Sequence, residues 1–128
     1  MIDSIAKITL YVNNQEEAKL FWVEKMNFVV RYEQQMGLDM KWIEVSPSDK
    51  SATVFVLYNK KMMMTQNPDT NVGHPSVILS THNIEMTHTT LKEKGVEIGE
   101  IINMPYGRMF DFSDMDGNKF LLREDKLY

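Results

Sequence analysis

The sequence contains no cysteine among its 128 residues, which excludes disulfide bonds and thiolate metal sites. It also has no apolar run near the roughly 18 residues that a membrane-spanning helix requires. The N-terminus lacks the basic and then apolar pattern of a secretory signal peptide. We therefore expect a cytoplasmic protein that does not insert into a membrane.

Positive charge is also scarce. The chain has 14 Lys and Arg against 18 Asp and Glu, for a net charge of −4. Nucleic-acid binding requires a basic face that meets phosphates, so we expect no nucleic-acid partner. The 6 glycines are scattered and form no phosphate-binding loop. The sequence thus predicts no phosphate-containing cofactor. Its net charge is compatible with a neutral or cationic small ligand.

An internal repeat is the main positive feature of the sequence. Residues 8–25 align with residues 77–94 at an offset of 69 positions, with identical residues at five of the eighteen positions. Each copy is a β-rich run, then Asn14 or Asn83, then a helix-like segment. Repeats of this kind indicate repeated supersecondary units. At 128 residues, we expect a single domain (1–128) built from two modules, at about 1–65 and 70–128.

Each module follows the same order of predicted elements. In the first, residues 5–12 alternate as a strand, and Asn14 with Glu17 resembles a helix-capping box. The helix carries an apolar stripe and ends near Asn27, which tolerates the left-handed conformation. The predicted strands that follow in the first module are residues 28–34, 40–45 and 53–58. In the second module, the predicted strands are residues 76–81, 96–103, 108–113 and 119–123. The helix of the second module is predicted to run from Asn83 to Gly95, after its first strand.

The polar segment 60–73 is predicted to connect the modules without regular structure. It contains three consecutive methionines, Met62 to Met64. Their flexible side chains suit either a lid over a pocket or a strand end or loop that packs on a neighbouring surface. The full pattern is βαβββ followed by βαβββ, which predicts an α+β fold.

The doubled order and the run GRMFDFSDMDGN at 107–118 resemble the vicinal oxygen chelate superfamily of glyoxalase I, extradiol dioxygenases and bleomycin-resistance proteins. The run is similar to a Gly-Arg, alternating-Phe and Asp-Pro-Asp-Gly-Asn signature, with Met115 in place of the proline. The resemblance covers nearly the whole chain. It implies tandem modules that form curled mixed sheets around a cleft, and a homodimer.

In metal-dependent relatives, the first strand of each module supplies a His or Gln and the last strand supplies a Glu. By this resemblance the four positions fall on Lys7, Phe55, Ser76 and Leu121. Divalent metals of this kind are held by imidazole, carboxylate or thiolate groups, and none of the four residues supplies one. We therefore expect no metal. A one-residue error in strand register would change the residue at Phe55 or Leu121.

Lys7 is the most informative of these positions. A buried ammonium without a partner is costly, so Lys7 requires a carboxylate, a ligand anion or water. Glu44, Asp111 and Glu124 are candidate partners. Lys7 would then orient a ligand, or it is an ordinary strand lysine with a surface partner.

Aromatic residues and a few polar groups would line the cleft, as is common for organic-ligand sites. Tyr11 and Phe55 are expected to share a face with Lys7, although strand aromatics are often simply part of the core. The predicted ligand-binding residues are Lys7, Tyr11, Trp42, Phe55, Ser76, Arg108 and Leu121.

The sequence favours a metal-free protein that binds a small organic ligand, aromatic or cationic, in the manner of bleomycin-resistance proteins. Whether it also catalyses a reaction stays open at this stage. The alternatives are a metal-dependent lyase or dioxygenase, a metal-free isomerase that uses Lys7, and a structural dimer whose cleft is filled by side chains. The scaffold alone does not decide among them.

Overall fold

The computed structural model describes residues 1–125. The chain divides into two compact units, and the second unit begins at Ser76. Each unit contains one copy of the internal repeat. The last three residues of the predicted second module lie outside the described residues, and the assignment of both modules to one domain stays a prediction.

Unit 1 has the predicted order of strand, helix and three strands, followed by an additional helix. Helix α1 continues into a single π-helical turn at Phe21–Lys25. The elements are β1 (Lys7–Val12), α1 (Gln15–Leu20), β2 (Val29–Gln35), β3 (Lys41–Ser46), β4 (Val54–Asn59) and α2 (Lys60–Gln66).

The sheet of unit 1 has the strand order β1-β4-β3-β2. Strands β1 and β4 are parallel, with Lys7 opposite Val54 and Tyr11 opposite Tyr58, whereas the other pairs are antiparallel. Because side chains alternate between faces along a strand, this register assigns every residue to one of two faces. One face packs against α1 and the other face carries Lys7.

Helix α1 is fixed by its N-terminal residues. The side chain of Asn14 accepts a hydrogen bond from the backbone N–H of Glu17, as the capping pattern predicts. The buried Gln15 bonds to three backbone groups of the sheet. Its Nε2 donates to the carbonyls of Lys41 (2.7 Å) and Leu57 (2.8 Å), and its Oε1 accepts from the N–H of Lys41 (3.1 Å). Gln15 therefore joins α1 to β3 and β4.

The core of unit 1 lies between α1 and the sheet. Trp22 is fully buried and contacts Phe28 and Phe55, with ring centroids 4.9 Å and 5.1 Å away. Asn27 has a φ of 60°, so the predicted left-handed residue after the helix is confirmed.

Unit 2 repeats the plan with shorter strands. Strand β5 pairs with β9 in parallel, and Asn83 caps α3 by accepting a hydrogen bond from the N–H of Met86. The stacked rings of Phe112 and Phe120 form part of the core under α3. The elements are β5 (Ile78–Ser80), α3 (Ile84–Glu93), β6 (Glu97–Ile98), β7 (Ile102–Met104), β8 (Gly107–Ser113) and β9 (Lys119–Asp125).

Two parts of the predicted element order were wrong. The segment 60–73, predicted as irregular, begins with α2, because Asn59 caps the helix by accepting from the N–H of Met62. The single strand predicted at 96–103 is divided into β6 and β7. Between them, a Cβ at Gly99 would lie 2.6 Å from the carboxylate of Asp111, so a larger residue at this position would displace that side chain.

The α+β class is confirmed, with mixed sheets that are not closed. Within residues 1–125, no helix is both long enough and apolar enough to cross a membrane. The predicted cytoplasmic location and the predicted cleft stay predictions.

The three hydrogen bonds of Gln15 lead to a stability prediction. Replacing Gln15 with Met keeps the side-chain length but leaves buried backbone groups without partners, so we expect a loss of about 1–3 kcal/mol. Urea denaturation would measure the loss. The control is Glu16→Gln, which alters only an exposed ion pair with Lys41 and should change the stability much less. Equal effects of the two substitutions would contradict the assigned role of Gln15.

Candidate functional site

The side of the unit 1 sheet that faces away from α1 carries a polar and aromatic cluster. We call it the Lys7 face and define it by the following residues: Lys7, Thr9, Tyr11, Tyr32, Gln34, Met40, Trp42, Glu44, Val54, Val56 and Tyr58. Lys7 and Tyr11 come from β1, and Trp42 and Glu44 come from β3. Three of the seven predicted site residues, Lys7, Tyr11 and Trp42, therefore share one face.

An ion pair with an added hydrogen bond lies on this face. The Nζ of Lys7 donates to Oε2 of Glu44 at 2.5 Å, and the indole Nε1 of Trp42 donates to the same oxygen at 2.8 Å. Glu44, one of the three carboxylates proposed from the sequence, is thus the partner of Lys7. The side chain of Lys7 is 48% exposed and that of Glu44 is 11% exposed, so solvent reaches the lysine much more readily.

The environment of Glu44 favours its ionised form. Burial acts to raise the pKa of Glu44, but the hydrogen bonds from Lys7 and Trp42 outweigh it, and the charges of Lys7 and Arg31 act in the same direction as those bonds. The pKa of this carboxyl is therefore lowered from its ordinary value of 4.5. At neutral pH the pair consists of a carboxylate that is compensated by an ammonium.

The aromatic part of the face is centred on Tyr58. Its ring meets Tyr11 and Trp42 edge-on, each at a centroid distance of 6.1 Å. Edge-to-face pairs of this kind contribute about 0.5–1.5 kcal/mol each beyond the area that they bury. Tyr11 and Trp42 are half-buried, so both rings keep part of their surface accessible.

Helix α2 covers part of this cluster. Met62 and Met63 pack against Met40, Val56 and Tyr58. None of the residues of α2 is itself buried. The hydroxyl of Tyr58 donates to the Oε1 of Gln66 at 2.5 Å and holds the last turn of the helix. The Met62 and Met63 side chains are flexible thioethers on a helix without buried residues, so they can change their rotamers when a ligand binds.

Phe55 does not belong to this face, so that part of the prediction was wrong. It pairs with Ile8 of β1, whereas Lys7 pairs with Val54. The ring of Phe55 lies in the core against Trp22 and Phe28. The sequence alignment had displaced β4 by one residue, and one position exchanges the two faces of a strand.

In unit 2, the predicted residues lie on two different faces. Leu121 pairs with Ile78, so these two side chains share one side of the sheet, whereas Ser76 precedes the first residue of β5. Arg108 lies on the other side. Its guanidinium bonds to Glu85 of α3 at 2.7 Å and to Glu124 at 2.8 Å. Arg108, which was predicted as a ligand-binding residue, therefore lies on the side of the sheet opposite Leu121.

The contacts of Arg108 and Glu124 explain that placement. Glu124 accepts a hydrogen bond from the backbone N–H of Ile84 at 2.8 Å, which fixes the start of α3 to β9. This bond makes the largest contribution to lowering the pKa of Glu124, and the hydrogen bond from Arg108 makes the next largest. Desolvation acts to raise the pKa. Arg108 and Glu124 therefore hold the start of α3 in place, on the side of the sheet opposite Leu121.

The residues at the family's metal positions do not fit a divalent metal. On the Lys7 face, β4 supplies Val54 and Val56 in place of the expected carboxylate, and neither has a donor atom. Ser76 and Leu121 supply no imidazole or carboxylate in unit 2. Among residues 1–125, no three His, Asp or Glu side chains converge as a metal site would require.

A polar recess of about 470 Å³ lies in unit 1, beside the start of β3. Much of its wall already has a structural function: Asn14 and Asn59 cap helices, and Gln15 joins α1 to the sheet. It is lined by Asn13, Asn14, Gln15, Glu16, Gln35, Leu38, Asp39, Met40, Lys41 and Asn59.

The sequence prediction missed Tyr58, and it named Met62 and Met63 as a possible lid without predicting the helix that carries them. A signal for the first was present, because Tyr58 lies two residues after Val56 and so shares its face once the register is known. A signal for the two methionines was also present in Asn59, which is a good helix N-cap. The prediction of a loop hid that signal.

The lowered pKa of Glu44 predicts a pH-dependent stability. Its contribution is complete above the ordinary value of 4.5 and is lost as the pH falls through the lower folded-state pKa. In Glu44→Gln this contribution is absent. The advantage of the wild type over Glu44→Gln in unfolding free energy should therefore decrease as the pH falls below 4.5 and through the lower folded-state pKa. Urea denaturation at a series of pH values measures it, and a pH-independent difference would contradict the ion pair.

Comparison with known proteins places this geometry in a family. The profile of the Glyoxalase/Bleomycin resistance protein/Dioxygenase superfamily matches residues 4–122. The uncharacterized protein YetH of Bacillus subtilis (strain 168) is 36% identical over 125 residues, which cover 97% of this chain and 100% of YetH.

Two solved structures show the same similarity. TnmS3, an antibiotic binding protein from Streptomyces sp. CB03234, has 28% identity and a TM-score of 0.81, with 98% of each chain covered. A member of the same superfamily from Sphaerobacter thermophilus DSM 20745 has 28% identity and a TM-score of 0.80, with 97% of this chain and 98% of that chain covered. The chain therefore belongs to the glyoxalase/bleomycin resistance protein/dioxygenase superfamily.

Proposed function

We propose that this protein binds a small organic molecule on the Lys7 face and holds it without a metal ion. The observation that carries the proposal is the Lys7–Glu44 ion pair, which lies beside accessible aromatic rings where metal-dependent relatives have ligands. A neutralised ion pair next to half-buried Tyr11 and Trp42 offers stacking surface with few polar anchors. Organic-ligand sites have this composition.

The adaptable cover supports the same proposal. A ligand that stacks on Tyr11 or Trp42 would lie near Met62 and Met63, which pack on the same cluster, and thioether side chains change their rotamers at low cost. Similarity to the antibiotic binding protein TnmS3 points the same way. Binding by sequestration requires affinity alone, so it requires no acid, base or nucleophile on this face.

A homodimer is part of the proposal. The resemblance implies dimers in which modules of two chains combine, and unit 1 exposes apolar side chains along the edge strand β2, among them Val29, Val30 and Tyr32. An edge strand of this kind is a natural site for pairing. Sedimentation equilibrium gives the mass of the species in solution directly.

One alternative has a specific observation in its favour. Val56 and Tyr58 are buried on the Lys7 face, with Met62 and Met63 packed against them, so side chains already fill part of the site. A structural protein whose site is filled would show the same packing. The two functions differ in whether an added aromatic compound reaches Trp42.

The two tryptophans provide a test within one molecule. Trp42 lies on the Lys7 face and Trp22 is fully buried on the opposite side of the sheet. We expect an aromatic probe such as 2-naphthalenemethanol to shift the indole N–H signal of Trp42 in a ¹H–¹⁵N NMR spectrum, because ring currents act at short range. The Trp22 signal should stay in place.

Trp42→Phe assigns the signal and serves as the matched variant, because it removes the indole donor but keeps an aromatic ring. Metal-free bleomycin is a second, cationic probe in the same titration. Saturable movement of the Trp42 signal supports binding at this face. No movement at millimolar concentrations of either probe, or movement of Trp22 alone, would favour the structural protein.

A further inference from the structure

The two donors on the Lys7 face leave one oxygen of Glu44 available. Lys7 and Trp42 both bind Oε2, and within residues 1–125 no group donates to Oε1. The Glu44 side chain as a whole is only 11% exposed, so protein atoms surround most of the carboxylate. An acceptor that is partly shielded from water gains more from a ligand donor than an exposed one does.

The charge of Glu44 is already compensated. Lys7 lies at hydrogen-bond distance, and Arg31 adds a second positive contribution at longer range. The guanidinium of Arg31 donates hydrogen bonds to the hydroxyl of Ser46 and to the carbonyls of Ser48 and Ser51, which fix its position. A cationic ligand group at Oε1 would meet two positive charges for one negative charge.

We propose that Lys7 sets the charge selectivity of this site, so that it takes aromatic compounds with a neutral O–H or N–H donor in preference to cationic ones. This inference rests on the proposed function and specifies its ligand class. The neutral donor binds Oε1 of Glu44 while the ring stacks on Tyr11 or Trp42. The ammonium of Lys7 already neutralises Glu44, as the cation of a charged ligand would otherwise do.

The inference narrows the prediction from sequence, which included cationic ligands on the basis of the net charge. Net charge describes the whole surface, whereas selectivity depends on the groups within a few ångströms of the bound molecule. At that distance the Lys7–Glu44 pair is neutral, and any added charge loses hydration without a free counter-ion.

Three naphthalene probes of equal ring size test the inference: 2-naphthalenemethanol, 2-naphthylmethylammonium and 2-naphthoate. In the wild type, we expect the alcohol to bind more tightly than either charged probe, as measured by NMR titration at fixed ionic strength. In Lys7→Met, Glu44 loses its counter-ion, so the ammonium should become the preferred probe. The ratio of the ammonium and alcohol affinities should change by on the order of tenfold or more.

Two further variants keep the test decisive if Lys7→Met folds poorly. Lys7→Arg retains the charge and should retain the preference for the alcohol. The double variant Lys7→Met/Glu44→Gln has no charge at the site and should not gain the preference for the ammonium. Thermal denaturation of each variant confirms that it is folded before titration.

The outcomes separate this inference from the proposed function. Binding of all three probes with the same order of affinity in the wild type and Lys7→Met would overturn the inference and leave ligand binding intact. Tightest binding of the ammonium or the naphthoate to the wild type would also overturn it. Failure of all three probes to bind the wild type would overturn the proposed function itself.

Discussion

The parallel pairing of the first and last strands determines which side chains meet in this fold. In unit 1, the register of β1 on β4 puts Lys7 opposite Val54 and Tyr11 opposite Tyr58, so these side chains share a face. A shift by one residue would exchange that face for the core. The position of Lys7 beside Glu44, and of Phe55 beside Trp22, both follow from this pairing.

Much of the fold could be predicted because its signals are local. The repeat, the caps at Asn14 and Asn83 and the left-handed Asn27 each depend on a few neighbouring residues. The register of β4 depends on a partner over forty residues away, so an alignment to a family motif misplaced Phe55. Arg108 was misplaced for a related reason, since its face depends on the pairing of β8 with β9.

The candidate site was predictable in part. The sequence identified Lys7, Tyr11 and Trp42 and proposed Glu44 as one possible partner of the lysine, and all four lie on one face. It did not identify the hydrogen bond from Trp42 to Glu44 within β3. It also could not reveal that α2 covers the cluster, because Met62 and Met63 pack on residues that come together only when β3 and β4 pair. The charge of Glu44 is compensated by Lys7, and aromatic rings lie on the same face, which suits an organic molecule better than a metal ion.

The central claim is that this face holds organic molecules without a metal. Calorimetric titration of the purified protein with zinc, nickel and iron(II) tests it most directly. We expect no tight site, because the side chains that β1 and β4 contribute to the Lys7 face include no imidazole and no carboxylate. One equivalent of tightly bound metal per chain would contradict the account and would indicate a metal-dependent lyase or dioxygenase.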